Sequence, residues 1–109
     1  MLSWEDFEKI DIRVGTILEA REFSKARKPA YQLLIDFGEL GQKNSSAQIT
    51  AYYSTDDLKG QQVVAVVNFP PKNIAGFISE CLVLGVYDEN KDVVLLGPKQ
   101  QIDNGSKIG

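Results

Sequence analysis

An all-β fold is what the sequence predicts: a small closed barrel or sandwich, opened by one short helix. Three observations carry it. Short runs rich in Val, Ile, Leu and Thr recur along the 109 residues, separated by turn residues. Two of these runs, Val63–Val67 and Leu82–Val86, carry almost nothing but Val, Leu and Ala, as strands buried in a core do. Helix signals are confined to two short segments, each announced by a serine at the N-cap position.

The first helical segment is Ser3-Trp4-Glu5-Asp6, a capping-box pattern with a carboxylate after the serine. Trp4, Phe7 and Ile10 share a three-residue spacing, so a short helix over 4–9 presents an apolar stripe. Residues 11–23 read as a long first strand, where Ile12, Val14 and Thr16 alternate with Arg13, Gly15 and Ile17. Gly15 inside it predicts a bulge or a sharp bend. A polar loop over 24–30 holds Lys25, Arg27 and Lys28. The second strand covers 31–37, a turn covers 38–42, and a polar third strand covers 43–50, with Ser45, Ser46 and Gln48 interleaving Ala47 and Ile49. Ser54 then caps a single helical turn that carries Asp57 at its third position and ends at Gly60. Strands follow over 62–67, 80–87 and 93–97. A loop joins the first two of these, Asp88–Asp92 turns a hairpin between the last two, and 98–109 reads as a loop-like tail. No repeat or linker interrupts the chain, so residues 1–109 are expected to form one domain. The bent first strand, the capped turn between the third and fourth strands and the late hairpin favour the OB architecture, a five-stranded barrel.

Composition narrows the chemistry. There is no histidine, one cysteine and a net charge of −3. Ser-His-Asp and Cys-His catalysis and the commonest zinc ligand are therefore excluded. The carboxylates are scattered, and Asp11, beside Arg13, has neither a nucleophile nor a partner carboxylate for acid–base work. No catalytic residue, metal or cofactor is expected; a binding function is. Cys81 reads as a small hydrophobe within a strand, and a single cysteine fits a reducing cytoplasm. The acidic start, MLSWEDFEK, lacks the apolar core of a secretory signal. No run approaches the ~18–20 apolar residues of a membrane span, so a cytoplasmic location without membrane insertion is expected. The negative charge argues against strong non-specific nucleic-acid binding, yet leaves room for a local basic face.

Three strings in order carry a resemblance: Asp11-Ile12-Arg13-Val14-Gly15-Thr16-Ile17, Val64–Asn68, and Ala75-Gly76-Phe77-Ile78-Ser79-Glu80. Together they resemble the tRNA-binding domain family of OB-fold modules, over nearly the whole chain from Phe7 to Ile108. Further strings, Ser45–Thr50, Asn68-Phe69-Pro70-Pro71, Val93–Leu96 and Asn104–Gly109, are similar to a branch of that family made of secretion chaperones. That branch implies a cytosolic homodimer that binds unfolded or presecretory polypeptide, with N- and C-terminal extensions of the barrel forming the dimer interface. Trp4, Phe7, Ile10, Ile102 and Ile108 would form it here. The sequence departs from many tRNA-binding members where Cys81-Leu82 follows Ser79-Glu80 in place of Gly-Met. The basic cluster before it is also thinned to Lys72, which points to only modest tRNA affinity.

Candidate ligand contacts follow from residue chemistry and the OB layout. For a polypeptide, Ser45, Ser46 and Gln48 would hydrogen-bond its backbone, while Phe69, Pro70 and Phe77 would rim an apolar pocket on the same face. Prolines fix a loop at little entropic cost on binding. For tRNA, the alternative partner, Lys25, Arg27, Lys28 and Lys72 would contact phosphates, with Asn68 and Ser79 added from the strings of the resemblance. Asn68 also suits a loop tie through side-chain to backbone bonds. Tyr31, Tyr52 and Tyr53 would stack on bases, grip apolar peptide side chains, or pack in the core or a dimer.

Overall fold

The computed structural model describes residues 1–109. Five antiparallel strands form the main sheet: β1 (Ile12–Glu22), β2 (Tyr31–Asp36), β3 (Gln42–Ala47), β4 (Gln62–Val66) and, after a hairpin, β7 (Leu82–Val83). That hairpin is β5 (Lys72–Ile74) with β6 (Phe77–Ser79); a second one, β8 (Gly85–Tyr87) with β9 (Val93–Leu95), follows β7. The sheet order is β3-β2-β1-β4-β7, and it curls until β3 approaches the far end, giving a nearly closed five-stranded barrel of the OB type. Two short helices complete the set, α1 (Trp4–Glu8) and α2 (Thr55–Leu58).

β1 serves two partners because it is long. Its first half, residues 12–16, pairs with β4, and its second half pairs with β2 up to Glu22. The bulge lies between Ile17 and Glu19 and not at Gly15. Gly15 instead permits a close approach. A Cβ there would sit 2.7 Å from the Phe37 ring and from Ile35 Cγ2, so the glycine lets β1 lie against the core. Strand alternation sends Leu33, Ile35 and Phe37 inward with Ile17 and Val63, all at 0–1% exposure. Leu58, wholly buried, closes the cluster from α2. The helix is set by the expected N-cap, Ser54, which with Asp57 makes a full capping box: Ser54 Oγ accepts the Asp57 N–H, and Asp57 Oδ2 accepts the Ser54 N–H. At α1 only half of the expected box forms: Ser3 Oγ accepts the Asp6 N–H, and the Asp6 carboxylate pairs with Lys9 instead of the Ser3 N–H.

Three segments differ from the sequence reading. Residues 68–80 are not merely a loop, since β5 and β6 form a hairpin there; its turn residues Ala75 and Gly76 have φ of 50° and 90°, the mirror-image turn that tight hairpins favour. The strand expected over 80–87 is two, because at Leu84 the chain changes partner: the Leu84 N–H donates to Val64, and the Leu84 carbonyl accepts from Leu96 on the other side. The tail has a strand-like part. Residues 105–108 lie beside the start of β1, with the Gly105 N–H donating to Val14 (2.7 Å), the Val14 N–H to Ser106 (2.9 Å) and the Ile108 N–H to Ile12 (2.9 Å). Asn104 anchors it by accepting from Thr16 Oγ1 at 2.7 Å and Gln62 Nε2 at 3.1 Å.

Of the three candidate tyrosines, Tyr31 and Tyr53 are structural. Tyr31 Oη donates to the Tyr53 carbonyl, and Tyr53 Oη accepts the Leu95 N–H. Tyr52 is exposed, and its hydroxyl donates to Asp88 Oδ2 in the β8–β9 turn. That hydrogen bond to a carboxylate pushes the Tyr52 hydroxyl above its ordinary pKa and holds Asp88 below its own. The linkage has opposite signs at the two ends of the pH scale. Tyr52 contributes fully below the ordinary tyrosine range and less as pH rises through its raised value. Asp88 contributes fully above the ordinary aspartate range and less as pH falls through its lowered value. An NMR titration of Tyr52 should find it ionising above the ordinary tyrosine range, and Asp88→Asn should bring it back; an unmoved Tyr52 in that variant would contradict the pairing.

Candidate ligand-binding groove

The barrel closes between β3 and residues 79–81 through a seam in which side chains stand in for strand pairing. The Glu80 N–H donates to the Asn44 carbonyl at 2.8 Å, and Glu80 Oε1 accepts the Asn44 N–H at 2.9 Å. Ser79 Oγ accepts the Ser46 N–H at 3.1 Å, and Ser45 Oγ donates to the Cys81 carbonyl at 2.9 Å. This reassigns two predicted contacts. Ser45 is fully buried and cannot touch a ligand, because the strand's alternation turns it into the barrel while Ser46 turns away. Ser79 uses its hydroxyl in the seam. Beside it, burial pushes the Cys81 thiol up to about 11, so it stays an unreactive small hydrophobe. Ser45→Ala should cost about 1–3 kcal/mol by leaving the Cys81 carbonyl without a partner; urea unfolding measures it, and an unchanged midpoint would remove the seam from the stability account.

Next to the seam lies an open groove of about 680 Å³. The β1–β2 loop supplies Arg27 and Lys28, β3 and the residue beyond it supply Ser46 and Gln48, and β5 supplies Lys72 and Asn73. Ala26, Ala30, Ile74 and Ala75 give it apolar walls. No carboxylate lines it, and none of its three cations is in a salt bridge. A smaller hollow of about 370 Å³ adjoins it at Ala75 and holds Lys25, Phe23 and Phe77. The two rings pack edge-to-face with centroids 5.5 Å apart, so Phe77 is half-buried: part wall, part core.

Of the predicted residues, the fold thus gathers Arg27, Lys28, Ser46, Gln48 and Lys72 in one groove, with Lys25 and Phe77 alongside. Phe69 and Pro70 are exposed but line neither cavity, so the shared apolar rim with Phe77 is not formed. Asn68 is a tie: its Oδ1 accepts the Asp11 N–H at 3.0 Å, and its Nδ2 donates to the Lys9 carbonyl at 2.7 Å. That holds the start of the loop against the end of α1. Asn73 is not legible in the sequence as a groove residue, since only the hairpin places it there.

Elsewhere, Trp4, Phe7, Ile10 and Ile108 surround a hollow of about 540 Å³. Trp4 is 83% exposed, an unusual state for its size. Ile102 lies apart, where its backbone N–H and carbonyl both bond the Gln62 side chain. The outer face of β8 and β9 adds Val86, Val94 and, just beyond, Leu96 as further exposed apolar residues.

Comparison with known proteins bears on this arrangement. A family model described as a putative tRNA binding domain matches residues 12–107. Among curated proteins, the methionine–tRNA ligase of Methanocaldococcus jannaschii is 36% identical over 101 residues, 93% of this chain, and that of Porphyromonas gingivalis is 35% identical over 107 residues, 98% of this chain. The chain spans only 15% of the length of each. Among solved structures, the chaperone CsaA of Bacillus anthracis superposes with a TM-score of 0.95 at 60% identity, covering 100% of this chain and 99% of that one. The CsaA chaperone protein of Picrophilus torridus gives 0.93 at 54% identity, with full coverage of both.

Proposed function

Because the chain belongs to the putative tRNA binding domain family, we propose that it is a non-catalytic OB-fold binding protein whose ligand is extended or unfolded polypeptide, as an export-related chaperone of the cytoplasm. The observation that carries this reading is the groove itself. Its small apolar walls, the polar ends of Ser46 and Gln48 and its open β5 strand suit a peptide chain. The end-to-end likeness to two proteins described as chaperones supports it, whereas the ligases match over a small part of their length. No helix is long and apolar enough to cross a membrane.

One observation favours a second reading, tRNA binding. Arg27, Lys28 and Lys72 converge on a groove whose own wall holds no carboxylate, and the family match points the same way. The two readings separate by titration against an unfolded preprotein and against tRNA at two salt concentrations. The preprotein is expected to bind with weak salt dependence. tRNA is expected to bind modestly, with a log–log slope of about −0.7 to −0.9 for each phosphate neutralised. Tight tRNA binding at physiological salt, lost when the three cations are neutralised, would reverse the order.

Phe77→Ala tests the polypeptide reading locally. Losing its edge-to-face partner and part of its burial should destabilise the protein by about 1–2 kcal/mol. Client affinity should fall about tenfold, the scale of a single contact residue near the edge of a site. An unchanged affinity in the folded variant would take Phe77 out of the site.

We further propose that the protein is an isologous homodimer, closed over the hollow around Trp4, Phe7, Ile10 and Ile108. Exposed Trp4 and Ile10, with half-buried Phe7 and Ile108 beside them, mark a contact surface. Ile102 stands outside that hollow, and the outer face of β8 and β9 is the better second patch.

A further inference from the structure

The hairpin beside the groove is a sheet of only two strands. β6 faces β3, where Ser79 receives the Ser46 N–H. β5 has no strand on its other side. The Ala75–Gly76 turn makes Ile74 and Phe77 the closing hydrogen-bonded pair, and such pairs alternate along an antiparallel ladder, so Lys72 and Ser79 form the next one. Asn73 lies between them. Its N–H and carbonyl therefore point away from β6, and neither bonds any group outside the hairpin ladder. Asn73 is exposed and lines the groove, with Lys72, Arg27 and Lys28 around it.

We infer that the open edge of β5 takes an acidic, extended polypeptide segment as a third strand of this small sheet. This rests on the polypeptide reading above and specifies how and what it binds. An added strand offers a carbonyl to the Asn73 N–H and an N–H to the Asn73 carbonyl. Its alternate side chains point to one side. Carboxylates there meet three cations that have no partner within the protein, although the chain as a whole carries −3. Lys72 and Ile74 share one face of β5, so the residues between the carboxylates turn to the opposite face, the side of Asn73. RNA satisfies the cations equally, but its sugar-phosphate backbone lacks the alternating N–H and carbonyl repeat of a β-strand and does not continue the ladder at Asn73. A consequence follows for presecretory chains. Their positively charged starts are poor ligands for this edge, and acidic stretches further along are good ones.

The test measures the solvent exchange of the Asn73 amide by magnetisation transfer in the unmodified, isotope-labelled protein. Three probes are compared: a decapeptide alternating Glu and Val, its Lys–Val counterpart, and a ten-nucleotide uridine RNA. The Glu–Val peptide is expected to bind and to slow Asn73 exchange at least tenfold at saturation. The Lys–Val peptide is expected to bind at least tenfold more weakly, and the RNA to slow Asn73 exchange less than the Glu–Val peptide does. No binding of the Glu–Val peptide, binding without slowing at Asn73, equal binding of the Lys–Val peptide, or equal slowing by RNA would each overturn the inference. An unfolded preprotein that binds while Asn73 stays unprotected overturns this inference alone; a preprotein that fails to bind overturns the polypeptide reading as well.

Discussion

Phe37→Ala is expected to lower the unfolding free energy by about 3–5 kcal/mol, the range for emptying a fully buried aromatic site. Phe37 has no exposed surface and follows the last residue of β2, where the chain turns away from the barrel. Its N–H donates to the Gly41 carbonyl at 3.0 Å, so the ring is held by a closed turn and the backbone has little freedom to collapse into the space left. A domain of this size is stable by about 5–15 kcal/mol, and the variant should unfold at a much lower urea concentration. Gly15 gives the converse test. Gly15→Ala places a methyl 2.7 Å from the same ring and should cost about 1–3 kcal/mol by overpacking. In a Phe37→Leu background that cost should shrink, because the two sites share one space; a coupling of about 0.5–3 kcal/mol is the usual size for contacting residues. Additive losses would show that Gly15 is not needed for the approach of β1 to this ring.

Trp4→Ala is expected to weaken the proposed dimer by about 2–4 kcal/mol, roughly a thirtyfold to thousandfold rise in its dissociation constant. The residue is a fit anchor because its ring is 83% exposed within one chain and stands over a hollow walled by Phe7, Ile10 and Ile108. Since it buries so little within its own subunit, the variant should keep its fold, and sedimentation equilibrium can read assembly alone. An unaltered protein that sediments as a monomer at micromolar concentration would overturn the dimer. A dimer that survives Trp4→Ala unchanged would move the interface elsewhere, with the Val86, Val94 and Leu96 face of β8 and β9 the next place to examine.

Features governed by short-range rules are legible in the residues alone. The all-β class follows from alternating apolar runs, and those runs form the strands of the barrel. Ser54 and Asp57 make the capping box of α2, and Ser3 caps α1. Asp88–Asp92 turns the β8–β9 hairpin, with Asp88 Oδ1 accepting the Asn90 and Asp92 N–H groups. The tie made by Asn68 is legible too, because an amide between two elements has few other uses.

Which polar residues face a ligand depends on the assembled barrel. Ser45 and Ser46 are neighbours of the same type, and the register of β3 against β2 buries one and leaves the other beside the groove. Ser79 reads as a nucleic-acid contact, but the curl of the sheet brings it and Glu80 onto the backbone of β3, where they close the barrel. Phe69 and Phe77 belong to one connecting segment, and the hairpin that forms within it carries Phe77 to Phe23 and leaves Phe69 outside both cavities. Arg27 and Lys72 are far apart along the chain and meet because the β1–β2 loop and β5 reach the same side of the barrel. One cause is common to all four cases. Alternation, capping and turn chemistry act between near neighbours and are written in residue type, whereas register and barrel closure set contacts between distant segments, and those are chosen by the packing of the whole core.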